Sequence, residues 1–368
     1  MTGGIKRLYH GESNIDFPKA WRRWLVVSAA LIMLSLLSFA VRGLNLGVAF
    51  EGGSSWEVVA PGLSTSDTRD ALSPVGAGNA TIQTIGSDTV RVRSDINEPE
   101  AVAEVTAALA DAAGQSVDDV SLQSVSASWS EELTSKALTA LIWFFIVVAL
   151  YISIRLEWRM AIGALVAVFH DIIISVGIYS IFQFEVTPAT VIAFLTIMGY
   201  SLYDTIVVYD KVREVSSRVG ATGKYTYTEM MNLSLNRVVM RSINTTITSI
   251  LPVLSMLVIG TFVLGASTLA EFSIALLIGL IAGGYSSLVV ASSVVVLLKE
   301  REPRYREIRE RQAAGAEQGG TRIINREVAA LGTAARGRRT TPTTTPSASQ
   351  RPTATGAIPP RPRKKKKR

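Results

Sequence analysis

The sequence predicts a polytopic α-helical membrane protein with six transmembrane helices and one small α+β, ferredoxin-like extracytoplasmic domain. Hydrophobic residues make up 48% of the 368 residues and are gathered in blocks rather than in amphipathic stripes, a pattern typical of membrane helices. Six of these blocks approach or exceed the ~20 residues that cross a hydrocarbon core of ~30 Å. Between the first two blocks, strand and helix signals alternate over residues 42–133.

The predicted membrane helices cover residues 24–41, 134–154, 160–182, 187–209, 241–265 and 270–298. Backbone polar groups in hydrocarbon must be satisfied within each segment, so these blocks form helices. The first block has an alternative interpretation as a cleaved signal peptide, because Ser38-Phe39-Ala40 resembles a small-x-small cleavage site. The long charged stretch 1–23 and an apolar run longer than the usual ~7–15 residues favour an uncleaved helix.

Lysine and arginine in the flanks predict the orientation of the helices. Residues 1–23, the turn after 154, the loop 210–240 and the tail 299–368 are basic, and six crossings place all four on one side. The segment 42–132 carries four arginines against 14 acids and lies on the other side. Because the basic side is cytoplasmic, both termini are predicted inside and residues 42–133 outside.

The outer segment is expected to follow the order β-α-β-β-α-β, which is the ferredoxin-like pattern. Capping residues mark its helices, and period-two alternation marks its strands around a hairpin at Gly86-Ser87-Asp88. The expected elements are strands over 48–60, interrupted at Gly52-Gly53, and over 80–85, 89–94 and 120–128, with helices over 64–72 and 99–113. The segment has neither histidine nor cysteine, so we interpret it as a binding module, with a plain spacer domain as the alternative.

The tail 299–368 carries 19 lysines and arginines against six acids and ends in the polybasic run 361–368. Low hydrophobicity with high net charge predicts that most of it is disordered. Beside a membrane, such a run attracts anionic lipid by about 1 kcal/mol per charge. Contact with the phosphates of RNA or a ribosome and a solvated tail that only sets topology are the alternatives. The predicted function requires no nucleic acid.

The composition also excludes several kinds of chemistry. The chain has no cysteine, and its two histidines are His10 and His170, which excludes disulfides, thiolate catalysis and metal sites built from cysteines or several histidines. No pair of catalytic acids and no nucleophile–base set is visible. We therefore predict that the chain is not an enzyme and needs no cofactor or metal.

Ionisable residues inside the predicted membrane helices are the strongest functional signal. Asp204 lies in the fourth segment, Arg241 opens the fifth, and His170 and Asp171 lie midway along the third. A charge at the centre of a membrane helix costs about 2.5–3.5 kcal/mol on insertion scales, and such residues face protein or a water-filled cavity. Two hypotheses follow from the spacing. Asp204 and Arg241 form either a protonation relay, in which proton binding releases the arginine, or a static buried ion pair.

Two weaker signals accompany these charges. His170, as a lone buried histidine, is more typical of a hydrogen-bonded packing residue than of a relay member, and Asp171 at mid-depth is a candidate for either role. The Gly279-x-x-x-Gly283 spacing in the sixth segment favours close helix approach.

The same residues resemble the SecF family of the Sec protein translocase. The run 199–214, which contains Tyr203-Asp204, is similar to the family's fourth-helix signature, and His170-Asp171-Ile172 resembles its third-helix motif. The run 236–246, which contains Arg241, resembles the start of the fifth helix, and residues 50–53 resemble the D-F-x-G-G element after the first. Ala49 and Tyr203 depart from the pattern, which usually has aspartate and asparagine there. The resemblance covers residues 24–298.

The resemblance implies a multi-pass protein of the bacterial plasma membrane, similar to half of an RND-type transporter. It implies work with SecD beside the SecYEG channel, after the ATPase SecA, to complete preprotein export with the proton-motive force. By position, it implies Asp204 and Arg241 as proton-pathway residues, with His170 and Asp171 as less certain members. The partners implied are SecD, SecYEG, the preprotein and membrane lipid. The alternatives are a proton-antiport half-transporter for a lipid or small molecule and a passive assembly scaffold.

Overall fold

Six long helices and one four-stranded sheet form the framework of the computed structural model, which describes residues 15–86, 88–220 and 223–317, with side chains up to residue 314. The helices that are long and apolar enough to cross a membrane are named helix one to helix six here. They are Phe17–Arg42, Ala127–Arg155, Trp158–Phe182, Pro188–Val219, Tyr227–Val263 and Ser267–Lys299. The helix Pro303–Glu317 follows. The predicted disorder and the lipid or RNA contacts of the polybasic tail concern residues 318–368, which lie outside the described residues, as do residues 1–14.

Capping side chains explain where several of these helices begin. The side chain of Asp16 caps helix one, and Thr187 caps helix four before Pro188. Thr226 and Glu229 form a reciprocal capping box at the start of helix five. These caps satisfy backbone N–H groups that have no partner inside the helix.

Two of the membrane helices contain a π-helical turn. Helix five includes Pro252 and ends in the π turn Ile259–Val263. Helix six is interrupted by the π turn Ser287–Ala291 between its α-helical parts Ser267–Ser286 and Ser292–Lys299. Single π turns inside α-helices are frequent at functional sites.

The residues between helices one and two form the predicted small α+β domain. Its strands are β2 (Gly53–Val59), β3 (Thr81–Ile85), β4 (Thr89–Ser94) and β5 (Ser121–Val125), and its helices are Thr65–Leu72 and Pro99–Ala113. The sheet order is β3-β4-β2-β5, and neighbouring strands are antiparallel. Strand β2, the first of the domain, thus lies between β4 and β5, the third and the fourth. The β-α-β-β-α-β order therefore folds as expected. Trp56, Val92 and Leu109 are buried in its core.

One part of the predicted first strand is wrong. Residues Val48–Glu51 form a short helix, and the strand begins only at Gly53. Gly52 and Gly53 both have positive φ angles, of 82° and 110°, which L-residues with side chains rarely adopt. A Cβ atom at Gly53 would also lie closer to the Ser94 carbonyl than any real contact. The two glycines turn the chain abruptly into the sheet, so the short apolar run before them is not part of the strand.

The α+β domain is joined to the ends of the membrane helices by backbone and by charge. Strand β1 (Asn45–Leu46) pairs in parallel with β6 (Glu185–Val186), which directly precedes helix four. Arg93 of β4 donates to the carbonyl of Leu46 at 2.6 Å. Arg91 of the same strand forms ion pairs with Glu57, Glu185 and Glu271, the last on helix six. The domain is thus fixed at the ends of helices four and six.

Helix six lies at the centre of the bundle and packs against helices three, four and five. A Cβ atom at Gly283 would lie 2.9 Å from Cβ of Ser201 on helix four, and one at Gly284 would lie 2.7 Å from Oγ1 of Thr246 on helix five. A Cβ atom at Gly279 would overlap Ile197 of helix four. The Gly279-x-x-x-Gly283 spacing therefore serves close helix packing, as predicted.

Candidate functional site

Asp204 lies half-buried on helix four, where two serine hydroxyls hold its carboxylate. Ser242 of helix five donates to Oδ1 at 3.0 Å, and Ser287 of helix six donates to Oδ2 at 2.5 Å. The carboxylate thus bonds to neutral donors from two neighbouring helices. Hydroxyl donors carry no charge, so they bind a carboxylate without neutralising it.

The expected ion pair between Asp204 and Arg241 does not form in this structure. Among the described residues, no ion pair joins the two: the carboxylate of Asp204 bonds to Ser242 and Ser287, and Arg241 is exposed on helix five. Its neighbour Ser242 is buried and takes the place beside Asp204. Consecutive side chains on an α-helix point about 100° apart, because 3.6 residues complete a turn. When Ser242 faces helix four, Arg241 therefore points away from it.

Asp171 on helix three is the more deeply buried of the two acids, with 2% of its surface exposed. Its Oδ2 atom accepts hydrogen bonds from Ser201 of helix four at 2.5 Å and from Ser286 of helix six at 2.8 Å. Its Oδ1 atom lies 3.1 Å from Nδ1 of His170. The structure therefore brings His170 and Asp171 together as one hydrogen-bonded unit joined to three helices.

The hydrogen-bond network continues from His170 towards helix one. Nε2 of His170 lies 3.2 Å from Oγ of Ser28, which lies 2.8 Å from the hydroxyl of Tyr285. The Tyr285 hydroxyl in turn donates to the carbonyl of Trp24 at 2.9 Å. His170, Ser28 and Tyr285 each carry an exchangeable hydrogen, whereas the Trp24 carbonyl only accepts. The network thus connects helix one to Asp171 through hydrogen-bonding side chains.

A small cavity of 80 Å³ lies beside Asp204 between helices four, five and six. Ser201, Thr245, Thr246 and Ser249 are among the residues around it, but the surface that they present to the cavity is mainly apolar. The hydroxyls of Ser201, Thr245 and Thr246 are directed to Asp171 and to carbonyls of helix five. Asp204 thus borders a small cavity, whereas Asp171 is enclosed by protein.

The serines and the tyrosine of this site were not predicted from the sequence as functional residues. Serine is common in membrane helices. Ser28, Ser286 and Ser287 stand in apolar surroundings, while Ser242 directly follows Arg241. The adjacent pair Ser286-Ser287 was one available signal, but Ser292-Ser293 is an equal pair further along the same helix, so the pattern alone does not single out the site.

The site offers hydrogen-bonding groups rather than a metal centre. Within the part of the chain that the structure describes, no group of three or more histidine, aspartate or glutamate side chains is arranged to hold a metal ion. What the geometry permits is proton transfer and the rearrangement of hydrogen bonds between helices.

Comparisons with known proteins agree with this architecture. Residues 104–301 match the family model described as "Protein export membrane protein SecD/SecF, C-terminal". The protein translocase subunit SecF of Streptomyces coelicolor is 37% identical over 325 residues, which cover 88% of this chain and 87% of that protein. The protein of the same name from Mycobacterium tuberculosis is 36% identical over 308 residues, which cover 81% of this chain and 70% of the M. tuberculosis protein.

A solved structure supports the same conclusion. The crystal structure of SecDF from Thermus thermophilus, described as a translocon-associated membrane protein, aligns with a TM-score of 0.72 and 29% identity. The alignment covers 79% of this chain but 39% of the SecDF chain, so this chain spans about two fifths of that longer protein. With a matching family model, relatives over most of its length and the same fold, the chain belongs to the SecF family of protein translocase subunits and has a Sec-related role in protein export.

Proposed function

We propose that this chain works with a SecD partner and uses the proton-motive force to help complete preprotein translocation through the SecYEG channel after SecA has acted. In this proposal Asp204 binds and releases the transported proton, Arg241 responds to its charge, and His170 and Asp171 belong to the same pathway. The observation that carries the proposal is the bonding of Asp204 to neutral hydroxyls from two helices. Its charge has no fixed counter-charge among the described residues.

A carboxylate in this setting suits reversible protonation. A proton that crosses the full membrane field gains about 2.3 kcal/mol per 100 mV, which is enough to shift a conformational equilibrium more than tenfold. A static ion pair would resist such a change, because a nearby guanidinium holds a carboxylate in its ionised form. The absence of an Asp204–Arg241 ion pair among the described residues therefore speaks against a permanent brace; in the relay, this arrangement corresponds to the state in which the arginine is released.

The exposed polar face of helix five supports the need for a partner subunit. Arg241, Asn244, Thr245 and Thr248 are all exposed on this helix. Such a stripe on a membrane helix faces protein or water, not lipid. A second membrane subunit that covers it would bring its own groups to Arg241. SecD is the partner we propose, because the SecDF chain is much longer than the part aligned here.

Replacement of Asp204 by asparagine tests the proposal. We expect the Asp204→Asn protein to assemble with SecD normally but to lose the export stimulation that depends on the proton gradient, in vesicles that also contain SecYEG and SecA. The matched control is Asp210→Asn, which removes an exposed carboxylate from the same helix and should leave the stimulation unchanged. Full stimulation in the Asp204→Asn protein would exclude Asp204 as the proton-binding group.

The small cavity beside Asp204 gives no support to the alternative of a half-transporter for a lipid or small molecule; a larger cavity of about 420 Å³ lies between the α+β domain and the ends of helices three and six. The cavity beside Asp204 has a volume of 80 Å³, whereas pockets for drug-sized ligands have about 300–1,000 Å³. Proton-coupled flux of a small molecule by this chain without any channel partner would nevertheless reverse the preference.

We further propose that both termini face the cytoplasm and that the α+β domain faces outward, in the plasma membrane of a bacterial cell. The chain has no native cysteine, so single introduced cysteines report on one position each. A membrane-impermeant thiol reagent should label Glu104→Cys in the domain from outside intact cells. It should label Arg213→Cys, at the end of helix four, only after the cells are opened. Labelling in the reverse order would invert the topology.

A further inference from the structure

Two consecutive serines of helix six bind the two acids of the site, Asp171 and Asp204. Ser286 donates to Oδ2 of Asp171 at 2.8 Å, and Ser287 donates to Oδ2 of Asp204 at 2.5 Å. Both serines are completely buried. The two acids lie on different helices. Each also accepts a hydrogen bond from a serine of another neighbouring helix: Asp171 from Ser201 of helix four, and Asp204 from Ser242 of helix five. One peptide unit of helix six therefore separates the donors of two carboxylates.

The local helix geometry at these serines is unusual. The π turn begins at Ser287 and ends at Ala291. Side chains bond to carbonyls of this turn: Ser292 donates to the carbonyl of Ser287 at 3.2 Å, and Tyr209 of helix four donates to that of Ala291 at 3.1 Å. A π turn replaces the regular i→i+4 hydrogen bonds by i→i+5 bonds and is frequent at functional sites. The serine pair thus lies where helix six departs from the regular α-helical ladder.

We propose that Ser286 and Ser287 are positioning residues that make the protonation of Asp171 and of Asp204 depend on each other. Each hydroxyl has one hydrogen to donate, and it is drawn most strongly to an ionised acceptor. When Asp171 loses its charge, the hydrogen bond that it accepts from Ser286 weakens. This turn of helix six can then move so that Ser287 comes closer to Asp204. The stronger bond from Ser287 then favours the ionised form of Asp204. This inference rests on the proposed function in one respect, namely that Asp204 binds protons.

Other titratable groups at this level of the bundle belong to several helices. His170 contacts Asp171 on helix three, and Tyr285 precedes the serine pair on helix six. Tyr200 and Tyr203 line the cavity beside Asp204 on helix four. Helix five contributes Arg241, which is exposed, and helix one contributes the neutral hydroxyl of Ser28. None of these groups bridges the two acids among the described residues, whereas the serine pair does.

Carbodiimide labelling of the full chain in lipid vesicles tests the proposal without any export assay. Dicyclohexylcarbodiimide reacts with protonated carboxyls in apolar surroundings, and mass spectrometry of peptides locates the product. At a fixed pH at which Asp204 is partly labelled, Asp171→Asn should lower the labelling rate of Asp204 by about tenfold, within the range typical of coupled sites. In a Ser286→Ala or Ser287→Ala background, the same substitution should change the rate by less than roughly threefold, because only repulsion through space remains.

A matched control separates this coupling from general damage to helix six. Ser273 is a buried serine of the same helix whose hydroxyl donates only to the carbonyl of Leu269, at 2.5 Å. Ser273→Ala should preserve the full tenfold effect of Asp171→Asn. The proposal would be overturned if Asp171→Asn changed the labelling rate of Asp204 equally with and without the serine hydroxyls. It would also be overturned if Asp171→Asn left that rate unchanged in the otherwise native chain. If Asp204 reacts at no pH, the proton-binding role fails as well; if it reacts without coupling, only the role of the serines fails.

Discussion

Arg91 of strand β4 and Glu271 of helix six form an ion pair, 2.7 Å between Nη1 and Oε1, that connects the α+β domain to the membrane bundle. The same guanidinium contacts Glu57 of the domain and Glu185 of strand β6, both at 2.6 Å. Burial opposes the charge of this guanidinium, yet Glu271, Glu185 and Glu57 raise the pKa of Arg91 above its ordinary value. One permanent cation thus holds three carboxylates together at the junction.

Arg91→Met should loosen the junction. The substitution leaves Glu57, Glu185 and Glu271 facing each other without their shared cation, and loss of one partner from a buried ion pair typically costs about 3–5 kcal/mol. Spin labels on Glu104→Cys in the domain and Thr268→Cys on helix six, both exposed positions, should then give a broader distance distribution. Lys136→Met, which breaks an exposed ion pair with Glu132, should leave the distribution unchanged. An unaltered distribution for Arg91→Met would mean that the strand pair β1–β6 is sufficient to hold the domain.

Gly283→Ala should separate helices four and six. The added Cβ atom would lie 2.9 Å from Cβ of Ser201, and overpacking of this kind typically costs about 1–3 kcal/mol. The matched control is Gly199→Ala on helix four, because a Cβ atom there meets nothing within 4 Å. Thermal unfolding in detergent should show a lower midpoint for Gly283→Ala and an equal or higher midpoint for Gly199→Ala. Equal midpoints for both variants would contradict the close packing of the two helices.

Thr106→Val should destabilise the α+β domain more than its small change in shape suggests. The indole N–H of Trp56, which is fully buried, donates to Oγ1 of Thr106 at 2.9 Å. Removal of this acceptor leaves a buried donor unsatisfied, which costs about 1–3 kcal/mol. Hydrogen exchange of the β2 and β4 amides should accelerate accordingly. The double substitution with Trp56→Phe should cost less than the sum of the single ones; strict additivity would show that the hydrogen bond contributes nothing.

His170 should carry its hydrogen on Nδ1 when it is neutral. Nδ1 lies 3.1 Å from the Asp171 carboxylate, while Nε2 lies beside the hydroxyl of Ser28, which can donate to it when Tyr285 donates to Ser28 rather than to the Trp24 carbonyl. The chain has only two histidines, so in a His10→Gln background nitrogen-15 NMR of labelled histidine reports on His170 alone. Asp171→Ala should move the hydrogen to Nε2, with Ser28 as its acceptor. A spectrum that is identical with and without Asp171 would exclude the two residues as one unit.

Most of the architecture could be predicted from the sequence because it depends on local patterns. Apolar blocks of membrane length predict the helices, and period-two alternation with a turn at 86–88 predicts the hairpin of the α+β domain. The error at Val48–Glu51 has a local cause that the pattern hides. Three consecutive apolar residues followed by a glutamate also fit one helical turn, and the positive φ angles of Gly52 and Gly53 decide between helix and strand.

The sequence by itself determined that Asp204, Asp171, His170 and Arg241 lie in long apolar helices, because that depends only on composition along the chain. Only the tertiary structure decided which groups they contact. The rotation of each helix about its axis directs Ser242 rather than Arg241 to Asp204, and the close approach of helix six lets Ser286 and Ser287 reach two different acids. Helix rotation and approach are set by side-chain packing between distant segments, which the spacing within one segment does not encode.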